Sequence, residues 1–234
     1  MKIIAGNWKM NGTRENLESM VQALSSVDTE NKVVLCVPFT MLCTNSGNIA
    51  LGAQDVSAHT HGAYTGEVSA KMIADTGAKY VIVGHSECRQ YHGDTNSIVR
   101  QKAEQAIANG LTPIICVGET MDEKQAGKTM DIIESGVRES SPSDVNTDII
   151  IAYEPRWAIG AGLTPTSDEI ADAHTLIAKT LAEMGLGGTP VLYGASVKGS
   201  NAAEIMSIPN VDGVLVGGAS LKSDDFIPII TSVK

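Results

Sequence analysis

Two residues that commonly take part in proton transfer stand directly after apolar runs in this sequence. The run IIIAY at 149–153 ends at Glu154, and Pro155 prevents a regular strand from continuing beyond it. The run YVIV at 80–83 is followed, after one glycine, by His85. A carboxylate and an imidazole that lie close together can act as a general base and as a proton donor to oxygen. Taken singly, Glu154 is better explained as a solvated turn residue, and His85 is equally well explained as a structural histidine.

Other residues that follow apolar runs are suited to binding an anion. Asn7 and Lys9 follow the first run. Ser196 follows the seventh run, and the pair Gly217-Gly218 follows the eighth. A glycine pair exposes backbone N–H groups, a serine adds a hydroxyl donor, and a lysine supplies positive charge locally in an acidic protein. If the runs end at one place, these residues predict a phosphate site beside an acid–base pair.

The elements that must position these residues are short apolar strands that alternate with longer amphipathic helices. Thr166 and Glu169 form a capping box at the start of the clearest helix, at 167–184. Eight strand–helix units of this size are typical of an α/β protein with a (β/α)8 TIM barrel. No linker interrupts them, so we expect a single domain over 1–234. The predicted strands are 2–5, 32–37, 49–53, 79–83, 112–117, 148–153, 190–193 and 213–216.

The second crossover of this barrel is predicted to be shortened, because only a turn or two of helix fits between Pro38 and Asn48. The competing architecture is a doubly wound open sheet, which usually carries G-x-G-x-x-G after its first strand. Here that turn reads GNWKMNG at 6–12 and lacks the spacing. Only a closed barrel brings the ends of the first and eighth strands to one mouth, where barrel enzymes place their chemistry.

Composition and charge narrow the classes of partner. The chain has 17 Lys and Arg against 27 Asp and Glu, a net charge of −10, which argues against nucleic acid. Its apolar runs are too short to cross a membrane. No C-x-x-C pair occurs, and Cys36 and Cys116 lie inside apolar runs, so we expect buried thiols and a reduced, cytoplasmic setting. His59 and His61 have no third ligand at a suitable spacing, so no metal is expected.

Five separated motifs resemble the triosephosphate isomerase family. They are GNWKMNG at 6–12, GHSE at 84–87, AYEPRWAIGAG at 152–162, YGAS at 193–196 and DGVLVGGASL at 212–221, in the family's order. The resemblance implies a (β/α)8 barrel that interconverts dihydroxyacetone phosphate and D-glyceraldehyde 3-phosphate in glycolysis and gluconeogenesis. It also implies a small phosphorylated triose as the substrate, no cofactor, and a homodimer.

The resemblance further implies roles for individual residues. Glu154 corresponds to the family's general base, and His85 to the electrophile that polarises the carbonyl group. Because His85 would lie at a helix N-terminus, its imidazole is expected to stay neutral through pH 6, an effect for which this family is itself the standard example. Asn7 and Lys9 correspond to substrate contacts, and Glu87 to a supporting acidic residue. The residues that correspond to the phosphate grip are Gly160, Ser196, Gly217 and Gly218.

Two connections also resemble functional loops of the family. The segment 155–163, PRWAIGAGL, corresponds to a lid whose apolar residues cover the enediolate and exclude water. The segment 57–69, SAHTHGAYTGEVS, resembles a loop that one subunit inserts into its neighbour. In this loop Thr65 would reach toward the partner's site and help to hold Lys9 and His85.

Four residues depart from the family's usual pattern. Cys88 follows GHSE, at a position where the family usually has an arginine. In the family that arginine commonly pairs with the acidic residue that corresponds to Glu67. Ala195 replaces a glycine, Asp94 replaces a glutamate, and Asp55 stands where an asparagine is frequent. None of these changes removes a catalytic group. We expect a weaker dimer, and an altered loop rearrangement at Ala195 if its backbone requires a positive φ.

Two other functions fit parts of the pattern. One is a non-catalytic relative that binds phosphate or a protein partner, and the presence of Glu154, His85 and Lys9 argues against it. The other is a different phosphate-binding barrel enzyme, such as one of aromatic amino-acid biosynthesis. The motifs GNWKMNG and AYEPRWAIG count against that alternative.

Overall fold

In the computed structural model, which describes residues 1–142, 148–160 and 163–233, eight parallel strands close into a barrel in sequence order. The first strand pairs with both the second and the eighth, so the sheet has no open edge. The predicted barrel is confirmed, and the alternative of an open sheet is wrong. Every predicted strand occurs within two residues of its expected bounds. The strands are β1 Ile3–Asn7, β2 Lys32–Cys36, β3 Ala50–Ala53, β4 Tyr80–Val83, β5 Thr112–Val117, β6 Ile150–Tyr153, β7 Val191–Tyr193 and β8 Gly213–Val216.

Helices follow the strands and cover the outside of the barrel. The second crossover holds only a 3-10 turn, Phe39–Met41, so the shortened connection is confirmed. The capping box of Thr166 and Glu169 is also present at the start of the seventh helix. In the part of the chain that the structure describes, the α-helices are α1 Arg14–Leu24, α2 Ala70–Asp75, α3 Ser86–Tyr91, α4 Asn96–Ala108, α5 Met121–Gln125, α6 Thr129–Ser140, α7 Ser167–Glu183, α8 Ala202–Ser207 and α9 Ser223–Ile230.

The apolar core has two layers, because strands of a covered parallel sheet bury both faces. One layer fills the barrel interior with side chains such as Val34, Ile82, Ile114 and Leu215. The other lies between the strands and the surrounding helices. This double burial explains why the strands appear in the sequence as continuous apolar runs. It fixes the strand ends in space and thereby positions the residues that follow them.

The predicted buried thiols are confirmed. Cys36 and Cys116 lie inside the barrel, and burial raises the pKa of Cys36 to about 12. All four cysteines lie in the described part of the chain and are free thiols. Among the described residues, no helix has the length and apolar character that crossing a membrane requires.

Candidate active site

The carboxyl ends of the strands surround a cavity of about 290 Å³. Eight of the ten candidate residues line it, and they come from five different strand ends. The other two candidates, Glu87 and Thr65, lie outside its lining. Closure of the barrel is what brings β1 beside β8, and therefore Lys9 near the glycine pair. The candidates that line the cavity are Asn7, Lys9, His85, Glu154, Gly160, Ser196, Gly217 and Gly218.

Glu154 lies at the end of β6 with only 3% of its surface exposed. The Ser86 backbone N–H donates to Oε2 at 3.0 Å, and Oε1 lies 3.1 Å from Nε2 of His85. Burial raises the pKa of this carboxyl group, but His85, the Ser86 N–H and Lys9 together outweigh burial and hold the pKa below its ordinary value. In this position Glu154 is an ionised carboxylate with both oxygens engaged.

His85 is the N-cap residue of α3, so the predicted position at a helix N-terminus is confirmed. The Glu87 backbone N–H donates to Nδ1 at 3.2 Å, which places the ring proton of a neutral imidazole on Nε2, toward Glu154. Burial is the largest single influence and lowers the pKa of His85, but the charge and hydrogen bond of Glu154, together with the charge of Glu87, raise the pKa above its ordinary value. The expected neutrality of His85 through pH 6 stays a prediction, and an Nδ1 that accepts the Glu87 N–H is the arrangement that a neutral imidazole requires.

Lys9 is held at the cavity by two neighbours. Its Nζ donates to Oε1 of Glu87 at 2.9 Å, and its backbone N–H donates to Oδ1 of Asn7 at 3.0 Å. Its backbone has φ 52°, a left-handed conformation that is uncommon outside glycine. Strain of this kind is typical of functional sites, where the surrounding structure enforces it. Glu87 therefore contacts Lys9 and the helix start at His85, which fits a supporting position.

The residues expected to bind phosphate face the cavity from three loops. Gly217 precedes a 3-10 turn, Gly218–Leu221, and both glycines line the cavity; among the described residues, no side chain caps the start of this turn. Ser196 is half-buried and lines the cavity, and its backbone carbonyl accepts from Nδ2 of Asn201. Gly160 is exposed at φ 69°. These groups offer donors to an anion from separate elements.

Lys198 is a lining residue that the sequence did not single out. It stands two residues beyond Ser196 and adds a second lysine to the cavity. Ala195 also lines the cavity, and its φ is not positive, because among the described non-glycine residues only Lys9 and Asn210 have positive φ. The expected strain at Ala195 is therefore absent from this conformation.

Glu119, just after β5, is a second residue that the sequence analysis did not identify. Trp157 Nε1 donates to its Oε1 at 2.7 Å, and the Arg156 backbone N–H donates to its carbonyl at 3.0 Å. Lys124 Nζ lies 3.9 Å from the centre of the Trp157 ring. These contacts hold the first turn of the lid, Arg156–Ala158. Within the predicted lid, Ala161 and Gly162 lie outside the described residues.

The signal for Glu119 was available, since it is a glutamate two residues beyond a predicted strand end. The need for a glycine at position 118, in contrast, could not be predicted from the sequence. Gly118 approaches the Glu154 backbone so closely that an added Cβ would lie 1.9 Å from the Glu154 carbonyl oxygen. Only glycine fits there, and its absence of a side chain lets β5 and β6 bring Glu119 and Glu154 to the same mouth.

The segment 57–69 forms a closed loop at the surface. The Ser57 backbone N–H donates to the Val68 carbonyl at 2.9 Å, and the Ser57 hydroxyl donates to Glu67. Tyr64 stacks on His59 with ring centres 3.8 Å apart and remains 43% exposed. Thr65 is exposed beside it. The hydroxyl of Ser57 thus supplies Glu67 with a partner in the absence of an arginine at Cys88.

Comparisons with known proteins agree with this geometry. The family model described as triosephosphate isomerase matches residues 2–233. A triosephosphate isomerase of Ruegeria sp. (strain TM1040) is 47% identical over 99% of this chain and 98% of its own length. One of Rhizobium etli is 47% identical over 97% of this chain and 94% of its own. The crystal structure of triosephosphate isomerase from Bartonella henselae superimposes with a TM-score of 0.88 at 39% identity, over 99% of this chain and 98% of that one.

Proposed function

This chain belongs to the triosephosphate isomerase family, and on that premise we propose that the cavity at the barrel mouth is where it interconverts dihydroxyacetone phosphate and D-glyceraldehyde 3-phosphate. The chain is an isomerase of glycolysis and gluconeogenesis, and its substrate is a triose phosphate. The observation that best supports the location is the contact of a buried carboxylate with an imidazole, 3.1 Å apart, in a cavity that also holds Lys9 and the glycine pair.

Glu154 is proposed as the base that moves a proton between the two adjacent carbons of the triose. Removing the proton from one carbon gives an enediolate, and returning it to the other gives the isomer. His85 is proposed to donate from Nε2 to the carbonyl oxygen and to shuttle the proton between the two oxygens. Lys9 places a positive charge near the developing oxyanion, and Asn7 completes the polar floor of the cavity.

The phosphate group is proposed to lie at Gly217, Gly218 and Ser196, with the Gly160 N–H meeting it when the lid closes. In this arrangement the substrate's non-reacting phosphate supplies binding energy that orients the carbons against Glu154. The apolar lid then covers the enediolate. Excluding water strengthens the electrostatic contacts and suppresses elimination of phosphate from the intermediate.

A homodimer is proposed as the working assembly. Tyr64 on the loop 57–69 and Met10 next to Lys9 are large apolar side chains with 43% and 96% exposure, and burial of both in a subunit interface would be favourable. The loop 57–69 is compact, with Gly62 and Gly66 at positive φ, and could enter a neighbouring subunit without major rearrangement. Thr65 would then contact the partner's site and help to hold its lysine and histidine.

The remaining assignments are also proposals. We place the protein in the cytoplasm, in keeping with four free thiols, two of them buried in the barrel. We treat residues 1–234 as one barrel domain, since the strands from β1 to β8 share a single closed sheet.

A coupled assay of glyceraldehyde 3-phosphate turnover tests the proposed site. We expect the purified chain to be active, and Glu154→Gln to lower kcat by about 100- to 10,000-fold, the usual contribution of a general base. Glu18→Gln changes an exposed carboxylate on α1 in the same way and serves as the matched control. If the two variants were equally active, Glu154 would not be the general base and this cavity would not be the active site.

A further inference from the structure

A group of potential metal ligands lies outside the active-site cavity. A carboxylate oxygen of Asp55, the sulfur of Cys88 and a ring nitrogen of His92 all lie within 4.8 Å of one another. None of the three residues lines the cavity described above. We propose that Asp55, Cys88 and His92 form a binding site for a divalent transition-metal ion of the zinc type.

The local structure presents two of the ligands together. Cys88 lies in α3 and His92 is its C-cap residue, four positions later, with the His92 backbone N–H donating to the Cys88 carbonyl at 2.9 Å. Residues four apart on a helix lie on the same face. Asp55 comes from the connection that follows β3, so the third ligand arrives from a different element. A metal ion at this point would bridge the start of that connection to α3.

The charges around the group favour a cation. Lys102 Nζ lies 2.8 Å and 2.9 Å from the two oxygens of Asp55, and 2.9 Å and 2.7 Å from those of Asp94. One largely buried ammonium is thus shared by two carboxylates, which leaves a surplus of negative charge. If Asp55 turns one oxygen toward a metal ion, Lys102 keeps its bidentate contact with Asp94. The ammonium therefore does not become an unpaired buried charge.

The ligand types indicate the class of ion. Sulfur and imidazole nitrogen with one carboxylate suit Zn²⁺ or Co²⁺, whereas Mg²⁺ and Ca²⁺ prefer oxygen ligands. Three protein ligands leave a fourth position for water. Asp55 and His92 also line a neighbouring cavity of about 650 Å³, which gives that position access to solvent.

Binding exchanges a proton for the metal ion. Cys88 is a free thiol, and a metal ion binds its thiolate form. Coordination replaces the S–H bond by a bond from the thiolate to the metal, and the proton passes to solvent. No electron is transferred. The ion clamps the stem of the loop 57–69 against α3.

The test is a titration of the chelator-treated protein with Co²⁺ and then Zn²⁺. We expect one equivalent of Co²⁺ to bind with a sulfur-to-cobalt charge-transfer band, and Zn²⁺ to displace it and raise the Tm. Loss of a metal's hydrogen-bonded supporting group costs about 10- to 100-fold in affinity, so loss of a direct ligand in Cys88→Ala or His92→Ala should cost at least as much.

Matched controls are Cys43→Ala and His61→Ala, because both remove an exposed side chain of the same type from elsewhere in the chain. They should bind Co²⁺ like the parent. The proposal is overturned if Co²⁺ produces no sulfur band, or if the controls weaken binding as much as the cluster variants do. His92 is exposed, so His92→Ala gives a folded variant even if Cys88→Ala unfolds.

Discussion

Among single residues, Glu154 has the position on which most of the proposed chemistry depends. Its two oxygens contact the Ser86 N–H and His85 Nε2, and these contacts weaken when the carboxylate turns toward a proton on carbon. These contacts lower its pKa, whereas burial alone would raise it. Moving from them to the substrate therefore makes Glu154 a stronger base at the moment when the lid excludes water.

Shortening this side chain tests its geometry. Glu154→Asp keeps the charge but withdraws the carboxylate by one methylene group, and a misplacement of about 1 Å can cost on the order of 100-fold in rate. We expect kcat to fall by about that factor, with little change in the inhibition constant of inorganic phosphate. A kcat within about threefold of the parent would exclude Glu154 as the base.

The protonation of His85 depends on its partner. The Glu154 carboxylate raises the pKa of His85, while burial and the helix N-terminus lower it. Replacing Glu154 by Gln removes the larger raising contribution and leaves the smaller one of Glu87, so we expect the pKa to fall and the imidazole to stay neutral through pH 6. NMR titration of the parent and of Glu154→Gln measures this difference.

The same spectra contain an internal control. Burial lowers the pKa of His174 to about 4, and its Nδ1 lies 3.0 Å from the Asn210 carbonyl oxygen, away from the cavity. His174 should titrate identically in both proteins. An unchanged His85 titration in Glu154→Gln would show that the carboxylate does not control the imidazole.

At the scale of elements, the lid is anchored at its first turn. Trp157 is held by Glu119 and by the Lys124 ammonium over its ring, whereas Gly160 beyond it is exposed at a positive φ. We therefore expect residues 156–158 to anchor the lid and the residues that follow them to contact the phosphate. A change beyond the anchor should therefore alter closure without loosening the barrel.

Shortening the segment 159–162 tests the purpose of closure. We expect the shortened protein to keep the far-ultraviolet circular dichroism of the parent, because neither Ile159 nor Gly160, the two residues of this segment that the structure describes, belongs to the apolar core. Turnover should fall, and methylglyoxal from phosphate elimination should rise per turnover. If the ratio of methylglyoxal to product stays at the parent's value, water exclusion is not the task of this lid.

The elements differ in how far the sequence predicts them. The strands were predictable because burial on both faces makes them continuous apolar runs. The helix α7 was predictable because it begins with a capping box and is long enough, at 17 residues, to show an apolar stripe. The short helices α2, α3 and α5 have five or six residues, too few for a periodic stripe. The Trp157–Glu119 contact joins side chains 38 positions apart, so it becomes visible only when the barrel closes.

At the scale of the whole molecule, closure of the barrel brings residues that are far apart in the sequence into one site. Lys9 from β1 and Gly217 from β8 are 208 positions apart in sequence, yet both line one cavity because these strands are paired. Of the eight candidates that line this cavity, seven were predicted from their positions after apolar runs, and Gly160 was predicted only from the family resemblance. The direct contacts of Glu154 with Ser86 and His85 depend on side-chain packing that no strand pattern encodes.

The assembly is tested through the loop 57–69. We expect sedimentation at micromolar concentration to give a dimer, and Thr65→Ala to lower kcat while the dimer remains. His61→Ala, on the same loop, is the control for a change that does not reach the partner's site. A fully active monomer would contradict both the homodimer and the role proposed for Thr65.

The central claim is that Glu154 carries a proton between adjacent carbons through an enediolate. Its most direct test is isomerisation of dihydroxyacetone phosphate in D₂O, followed by NMR of the trapped glyceraldehyde 3-phosphate. A carboxylic acid exchanges its proton with solvent, so the account predicts deuterium at C2 in part of the product and almost no product from Glu154→Gln. Product without any deuterium would indicate a direct hydride shift, and undiminished product from Glu154→Gln would contradict the account.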